Sequence, residues 1–382
     1  MPFASALSEH PVASLATGEV TGAVLEALGD RPDLVMVFAT RPHAGALEDI
    51  VRTVSSVLHP LAVAGCGAES VLGTGRGVEE TPALSLWAGR VGPLLPLALT
   101  ATRLADDSWH FAGWPRDIGF EASALVLLAD PFTFPAGEFL AWIDETQPGL
   151  PVIGGNVSGG RGPGGSRLVT GDRVVSSGAT GVLLGSGVAV EAAVSQGCRA
   201  YGNALTVTRS DRNVIYEVAG VPAMECMVDQ IKSGLDPSEV AGIQSNGLFI
   251  GRLIDEHLED PGPGDYLIRN VVGVDRSTGA VAVDDRVPLG STVRFHRRDA
   301  RTAHLELGQV LGDRQADSAL MFTCNGRGTR LFDDAHHDAR VLERSVGPVP
   351  LGGFFAAGEF GPIGGHNFVH GFTASTSLFR QR

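Results

Sequence analysis

The chain contains 382 residues, which is enough for two domains at roughly 150 residues each. Hydrophobic residues make up 43% of it and charged residues 19%, so it can bury a core and is not mainly disordered. The net charge is −14 and the basic residues are scattered singly. Nucleic acid and anionic membranes are therefore excluded as expected partners, because both need clustered positive charge.

The lysine and cysteine residues argue against further kinds of site. Lys232 is the only lysine, and its surroundings lack the glycines of a phosphate-binding loop, which argues against a Walker-type nucleotide site. The four cysteines lie far apart without a Cys-x-x-Cys pair, a pattern typical of reduced thiols. The first residues also lack the basic segment of a signal peptide. We therefore expect a cytoplasmic protein.

Helical spacings and apolar runs of strand length alternate along the first half of the chain. They predict a helix over 17–28, a strand over 34–39, a helix from Pro42 to about Leu58, and a strand over 61–64. Strands at turn-length spacing, which suits antiparallel pairing, follow at 83–88, 94–102, 123–129, 151–154, 167–170, 173–176, 180–184 and 188–193. A helix is predicted over 136–145, and the glycine-rich stretch 154–165 predicts a long loop.

The second half, from about residue 195, has a similar alternation. Its predicted strands are 204–208, 213–218, 266–274, 279–283, 291–296, 320–323 and 352–357. Its predicted helices are 222–233, 237–242, 301–312 and 334–345. Each half contains a strand–helix–strand segment whose second strand ends in Gly followed by Cys or Glu. An internal duplication would explain this, but the arrangement is also common in unrelated proteins.

These elements predict an α+β fold with two domains, residues 1–194 and 195–382. Because many predicted strands are separated by short turns while others flank a helix, the sheets should be mixed, largely antiparallel, and packed against helices. Pseudo-duplication of the two domains stays open.

The most distinctive motifs lie near the C-terminus. Residues 322–328 read FTCNGRG, 354–362 read FFAAGEFGP, and 370–373 read HGFT. These runs resemble the C-terminal FIST domain. The GCGAE segment at 65–69, followed by VLG at 71–73, and GGN at 154–156 are similar to the N-terminal FIST domain. The resemblance covers essentially the whole chain, with 1–194 similar to FIST N and 195–382 similar to FIST C.

This resemblance implies a sensory domain that binds small ligands such as amino acids. FIST domains accompany kinase, cyclase or methyl-accepting modules in bacterial signalling proteins, and they occur in eukaryotic F-box proteins. The chain leaves no span for such an output module. The resemblance therefore implies a stand-alone ligand-binding protein, or one that signals through a separate partner protein.

Two charged residues follow the two C-terminal strands of the predicted fold. Arg327 comes just after the strand over 320–323, and Glu359 comes just after the strand over 352–357. If these strands are neighbours, both charges lie at one sheet end, where ligands commonly bind. Arg327 would then bind the carboxylate of an amino acid and Glu359 its ammonium group. An ion pair between Arg327 and Glu359 that fastens the strand ends is the open alternative.

Seven further residues complete the predicted ligand site. They lie at strand ends or in adjoining loops: Cys324, Asn325, Gly358, Asn156, Cys66, Glu69 and His370. Cys324 or Cys66, near His370 or His366, would also suit the nucleophile of a hydrolase or transferase, although free cysteines are usually packing residues. A third hypothesis is a protein-interaction adaptor, which predicts an exposed apolar patch and no small-molecule site.

Two groups of residues have side chains of the types that bind metals. Asp333, Asp334, His336, His337 and Asp338 are nearly consecutive, but consecutive side chains on a helix point in different directions, and an aspartate at a helix start serves as a cap. His366 and His370 have the spacing of a zinc helix without its glutamate. We therefore expect no metal and no cofactor, and the predicted partner is a small polar metabolite.

Overall fold

The computed structural model of the protein describes residues 2–262 and 264–382. The chain forms two compact units: unit 1 combines Met1–Val194 with Leu307–Arg382, and unit 2 is Ser195–Glu306. The predicted boundary after residue 194 is also the end of the first segment of unit 1. Residues 307–382, however, belong to unit 1. Within the described residues, no helix is long and apolar enough to cross a membrane.

The first part of unit 1 alternates strands and helices and then forms a hairpin. Its elements are β1 (Phe3–Ser8), α1 (Ala13–Leu28), β2 (Leu34–Thr40), α2 (Arg41–Ala44), α3 (Leu47–Leu58), β3 (Ala62–Ala68), β4 (Ser70–Gly73), β5 (Arg76–Glu79) and β6 (Leu84–Gly89). The single helix predicted from Pro42 to Leu58 is wrong, because the chain breaks at Gly45 and Ala46 into α2 and α3. Glycine is a poor helix former, and the break lets α3 begin with the buried Leu47.

The second part of unit 1 repeats this pattern. Its elements are β7 (Leu94–Arg103), β8 (Trp109–Ala112), β9 (Ala124–Ala129), α4 (Ala136–Thr146), β10 (Val152–Asn156), β11 (Leu168–Thr170), β12 (Arg173–Val175) and β13 (Ala179–Leu184). The loop predicted over 154–165 is wrong at its start, because Gly154 and Gly155 pair with β9 as part of β10. Glycines fit there since neighbouring backbone comes very close.

After β14 (Val188–Ser195) the chain enters unit 2. The elements that follow are β15 (Cys198–Asp211), β16 (Val214–Val218), β17 (Val221–Pro222), α5 (Ala223–Gly234), α6 (Pro237–Asn246), β18 (Phe249–Leu253), β19 (Tyr266–Asp275), β20 (Ala280–Val283), β21 (Thr292–Arg298) and α7 (Ala300–Leu311). The strands pair antiparallel in the order β15, β21, β18, β19, β20, β16, and β15 also pairs with β16. This part of the described chain is therefore a closed barrel filled by apolar side chains.

The C-terminal segment returns to unit 1. Its elements are β22 (Ser318–Cys324), α8 (Thr329–Phe332), α9 (His337–Val346), β23 (Leu351–Ala356), β24 (Glu359–Ile363), β25 (His366–His370) and β26 (Ala374–Gln381). β22 and β23 are adjacent and parallel, so Arg327 and Glu359 do follow neighbouring strands, as the ligand hypothesis required. The α+β fold with mixed, largely antiparallel sheets is confirmed.

In its described residues, unit 1 contains the same arrangement three times. Each sheet has a parallel pair between two antiparallel neighbours, in the orders β6-β2-β3-β11, β13-β9-β10-β24 and β26-β22-β23-β4. The hairpin that follows each parallel pair in the sequence pairs with the sheet of another repeat. The β4–β5 hairpin follows β3 but pairs with β23, and the β24–β25 hairpin follows β23 but pairs with β10. The β11–β12 hairpin follows β10 but pairs with β3, which completes the cycle. The sequence left open a duplication of the two halves of the chain, whereas the repetition within the described part of unit 1 is threefold.

Each parallel pair brings its two backbones together at one glycine. A Cβ added to Gly65, Gly154 or Gly353 would lie 1.9, 1.8 or 1.9 Å from a carbonyl oxygen of the preceding parallel strand. All three glycines also have positive φ, between 150° and 159°. Only glycine fits such a position, so this residue marks the three repeats.

The three sheets of unit 1 surround one apolar cluster. It includes Phe38, Trp87, Val126, Phe322 and Phe354, which come from strands of all three repeats. Helices pack on the outward faces: α1 and α3 on the first sheet, α4 on the second, and α7 and α9 on the third. Each parallel pair is therefore buried on both faces, and polar side chains collect where its strands end.

Candidate functional site

The ends of strands from all three repeats meet at Ser158, a buried residue just after β10. Its Oγ donates to the Phe355 carbonyl of β23 at 2.5 Å, and it accepts from the N–H of Glu69 at 2.9 Å. One hydroxyl thus joins the three repeats. The candidate residues that follow β3, β10 and β23 are therefore brought to one end of unit 1.

Glu69 is held by two arginines at this end. Its carboxylate lies 3.3 Å from an Arg41 amino group and 2.6 Å from one of Arg330. Arg330 also donates to the Asn325 carbonyl at 3.1 Å. Glu69 therefore fastens the repeats to each other, and both of its oxygens are already occupied. Sequence reasoning missed Arg41, although it directly follows the buried strand β2, which is the signal that could have identified it.

Arg327 lies beneath the strand ends and has no exposed surface. Its guanidinium donates to both oxygens of Asp338, at 2.8 and 2.9 Å, and to the Phe372 carbonyl at 3.3 Å. The turn after β22 causes this placement, because the Arg327 N–H donates back to the Cys324 carbonyl at 2.8 Å. The predicted binding of a ligand carboxylate by Arg327 does not fit this geometry, and the ion pair that holds Arg327 is the one with Asp338.

Asp338 lies at the start of α9 and is almost completely buried. Burial disfavours its ionised form, but the Arg327 guanidinium and hydrogen bonds from His337 and Thr323 outweigh burial and hold the pKa of this carboxyl well below its usual range. Asp338 is the buried member of the cluster considered above for a metal. Across residues 2–262 and 264–382, no group of three or more His, Cys, Asp or Glu side chains is placed to hold a metal ion.

Glu359 begins β24 and is also fully buried. One carboxyl oxygen, Oε2, accepts from the Thr373 N–H at 3.1 Å and from the Thr373 hydroxyl at 2.6 Å. Burial raises the pKa of Glu359 to about 8, although hydrogen bonds from Thr373, the charge of Arg327 and a hydrogen bond from the Cys324 thiol oppose that shift. Glu359 is therefore mostly protonated at neutral pH.

Glu359→Gln should change how stability depends on pH. Because the pKa of Glu359 is raised on folding, its folded state keeps a proton that the unfolded chain loses above about pH 4.5. The wild type should thus lose stability relative to Glu359→Gln as the pH rises from about 5 to 8, and the difference should level off above that range. Urea unfolding of both proteins at several pH values measures the difference. A constant difference would show that Glu359 is ionised in the folded protein.

Three side-chain oxygens at these strand ends are buried without a hydrogen-bond partner among the residues that the structure describes: Asn156 Oδ1, Asn325 Oδ1 and Glu359 Oε1. Backbone hydrogen bonds join their segments. The Ala357 N–H donates to the Asn156 carbonyl and the Asn325 N–H to the Ala356 carbonyl, both at 2.9 Å. A buried acceptor without a donor costs about 1–3 kcal/mol, so the two amide oxygens can each accept from a ligand. Oε1 of Glu359 carries the proton of the neutral carboxyl and becomes a third acceptor when Glu359 ionises.

Gly358 directly precedes Glu359 and has a positive φ of 122°. A Cβ there would come within 3.1 Å of the Asn156 amide nitrogen and 3.3 Å of a Val369 methyl group. The neighbouring Ala357 is exposed. The segment 357–358 is therefore a covering of small residues that lies against Asn156.

The remaining predicted residues differ in their surroundings. Cys66 is completely buried in the apolar cluster, and burial raises the pKa of its thiol well above the usual value, so it does not fit a nucleophile. Cys324 is 9% exposed and its Sγ accepts from the Gly326 N–H at 3.4 Å. His370 lies opposite Glu359 in the β24–β25 hairpin, and its Nε2 bonds the Gly361 carbonyl at 2.9 Å. A cysteine-dependent reaction stays a prediction, for Cys324 alone.

This chain is similar in sequence to two domain models and to known proteins. The FIST N domain model matches residues 33–221, and the FIST C domain model matches residues 223–362. An uncharacterised protein of Mycobacterium bovis is 38% identical over 380 residues, covering 97% of this chain and 96% of the relative. An uncharacterised protein of Mycobacterium tuberculosis is 37% identical over 364 residues, covering 93% of each chain.

The two domain matches are consecutive in sequence, whereas unit 2 of the structure is an insertion between the two sequence segments of unit 1. FIST N includes parallel pairs of the first two repeats, and FIST C includes most of the barrel and the parallel pair of the third repeat. The relatives match almost from end to end, so they share both parts. From these matches, the chain belongs to the FIST family, whose domains are regarded as sensory.

Proposed function

We propose that this protein is a sensory protein that binds a small amine-bearing metabolite, such as an amino acid, at Asn156, Asn325 and Glu359. The observation that carries the proposal is the group of three buried oxygens without donors on backbone segments that bond to each other. A primary ammonium group has three N–H donors, which matches three acceptors in number. This replaces the earlier assignment in which Arg327 bound the ligand.

Charge also favours a cationic group at this place. The three oxygens belong to two amides and one carboxyl group. The nearby cations Arg41 and Arg330 are paired with Glu69 and Glu80. Arg327 is neutralised by Asp338. An incoming ammonium would thus meet acceptors rather than a free positive charge, and Glu359 would ionise to pair with it.

The expected affinity is moderate. Hydrogen bonds that involve a charged group contribute about 1.5–3 kcal/mol each, and association costs several kcal/mol, which together give dissociation constants in the micromolar to millimolar range. All three oxygens are closed to solvent. A ligand would reach them when the covering segment 357–358 moves away from Asn156, and Gly358 provides a flexible backbone for that movement.

Calorimetric titration with the common amino acids, simple primary amines and matched carboxylic acids tests this proposal. We expect at least one primary amine to bind and the carboxylic acids to give no heat. Asn325→Ala should weaken binding by about tenfold or more while leaving thermal stability unchanged or higher, since it removes a buried acceptor that has no donor. Asn203→Ala, at an exposed asparagine of unit 2, is the control and should bind like the wild type.

Two results would overturn the proposal. One is the absence of binding by every amine at millimolar concentration. The other is unchanged amine binding by Asn325→Ala, because the oxygens would then be satisfied by ordered water and the ligand would bind elsewhere.

A further inference from the structure

Unit 2 contains a cavity of about 410 Å³ that is unusually rich in arginine. It is lined by Arg199, Glu239, Arg297, Asp299, Arg301, Thr302 and Leu305. Its size falls within the range of small-molecule sites. None of these residues belongs to the strand-end site in unit 1, so the cavity calls for a separate explanation.

Two of the arginines face each other across paired strands. Arg199 of β15 and Arg297 of β21 are direct partners in the antiparallel register. Like charges at such positions are destabilising. Glu239 of α6 offsets the repulsion, since its Oε1 bonds Arg199 and also lies 2.8 Å from Arg297. The structure thus retains a costly pair of guanidinium groups at the cavity wall.

The carboxylates of the cavity are already committed to other donors. The second oxygen of Glu239 accepts from the N–H of Asp236 at 2.9 Å in the capping box of α6. Asp299 bonds Arg297 at 2.8 Å and accepts from the Thr302 N–H at 2.8 Å, which caps the start of α7. Each acidic group therefore neutralises the arginines only in part.

Unused donor capacity remains on two arginines. Arg297 Nε is buried and has no hydrogen-bond partner within the described part of the chain. Arg301 lies at the second position of α7 and, among residues 2–262 and 264–382, forms no ion pair. A cation is unfavourable at a helix N-terminus, because the helix dipole places about half a positive charge there. An anion in the cavity would offset the charge of both arginines.

The charge of the cavity wall suggests which anion fits. Three guanidinium groups against two carboxylates leave one positive charge, and the start of α7 adds about half a charge. A phosphate monoester carries about −1.5 to −2 at neutral pH, whereas a carboxylate carries −1. One guanidinium group can also bind two oxygens of a phosphate through two parallel hydrogen bonds. The cavity is thus complementary in charge and donor geometry to a phosphate group.

We propose that this cavity of unit 2 binds the phosphate group of a small phosphorylated metabolite. Arg301 donates to the phosphate oxygens, while Arg297 and Arg199 supply positive charge from the two paired strands. The FIST protein would then have two ligand sites of opposite preference: a cationic group in unit 1 and an anionic group in unit 2.

Titration with glycerol 3-phosphate, inorganic phosphate and acetate tests the proposal. Glycerol 3-phosphate should bind at least as tightly as inorganic phosphate, and both should bind about tenfold or more tightly than acetate. Arg301→Gln should weaken glycerol 3-phosphate binding by about tenfold. Arg276→Gln, at an exposed arginine of unit 2 away from the cavity, is the matched control and should bind normally. Arg301 is exposed and unpaired in the described structure, so its loss should not prevent folding.

The pH dependence gives a second readout. Affinity for glycerol 3-phosphate should rise between about pH 5 and 7, as the phosphate loses its second proton with a pKa near 6. Equal binding of acetate, absence of phosphate binding at millimolar concentration, or full binding by Arg301→Gln would each overturn the proposal. Asn325→Ala should bind the phosphate normally, which keeps this test independent of the amine site in unit 1.

Discussion

Asp338→Ala is expected to lower the free energy of unfolding by about 3–5 kcal/mol, because it leaves the Arg327 guanidinium buried without its counter-charge. An arginine cannot shed its proton to escape this cost. The substitution also removes the acceptor of a Thr323 hydroxyl. Equilibrium unfolding in urea measures the change.

Two further variants make this result interpretable. Arg340→Ala breaks the Arg340–Asp334 ion pair, whose side chains are 46% and 36% exposed, and should cost less than about 1 kcal/mol. Arg327→Met combined with Asp338→Leu should recover most of the lost stability, since apolar pairs commonly replace buried ion pairs at little cost. A small effect of Asp338→Ala would mean that water reaches Arg327, which would restore it as a candidate ligand contact.

Gly353→Ala is expected to destabilise unit 1 by about 3 kcal/mol or more, or to prevent folding. The added Cβ would lie 1.9 Å from the Met321 carbonyl oxygen, within a parallel strand pair that is buried on both faces. The neighbouring backbone cannot move away without breaking the pairing of β22 with β26. Thermal unfolding, monitored by circular dichroism, measures the effect.

Gly18→Ala is the matched control for this substitution. Gly18 lies in α1, and a Cβ there would meet no atom within 4 Å. This variant should be more stable than the wild type by about 0.4–1 kcal/mol, because alanine lowers the entropy of the unfolded chain. If Gly353→Ala instead folds with wild-type stability, the close approach of β22 and β23 would be contradicted, and with it the equivalence of the three repeats.

Much of the fold could be predicted because its central strands are buried on both faces. The runs at 34–39, 123–129 and 320–323 are continuous apolar segments, and each is the first strand of a parallel pair. The strands that escaped prediction, such as β4 and β24, are short and rich in glycine or polar residues. Their pairing partners lie in other repeats, so no local pattern in the sequence could reveal the exchange of hairpins.

The threefold repetition illustrates the same limit. The sequence indicated two similar strand–helix–strand segments. Two residues after the shared glycine, however, the three repeats have Gly67, Asn156 and Phe355, and this difference hides their likeness. The repeats share a glycine at Gly65, Gly154 and Gly353, where the backbone of the adjacent strand leaves no room for a Cβ. The sequence does not show this requirement, because it depends on which strand is adjacent. The pairing register of the strands therefore reveals the equivalence of the three repeats, which the residue types alone do not.

The sequence predicted that the residues of the candidate site follow neighbouring strands, but it did not predict what their side chains contact. Cys324, Asn325, Gly358, Glu359 and Asn156 do lie on strand ends whose backbones bond to each other. The direction of Arg327 depends on one turn and on Asp338 in α9, eleven residues further along, and neither follows from the sequence. Burial also converts Glu359 from an expected carboxylate to a mostly neutral group at pH 7.

The most direct test of the central claim is calorimetry of the tightest-binding amino acid at about pH 7 in PIPES and in imidazole buffer, which differ in their heats of ionisation and contain neither a primary amine nor phosphate. If an ammonium group docks against Glu359, the carboxyl group must release its proton, so the binding heats in the two buffers should differ. Glu359→Gln, which has no proton to release, should give equal heats. Equal heats for the wild type would contradict the proposed pairing of an ammonium group with Glu359.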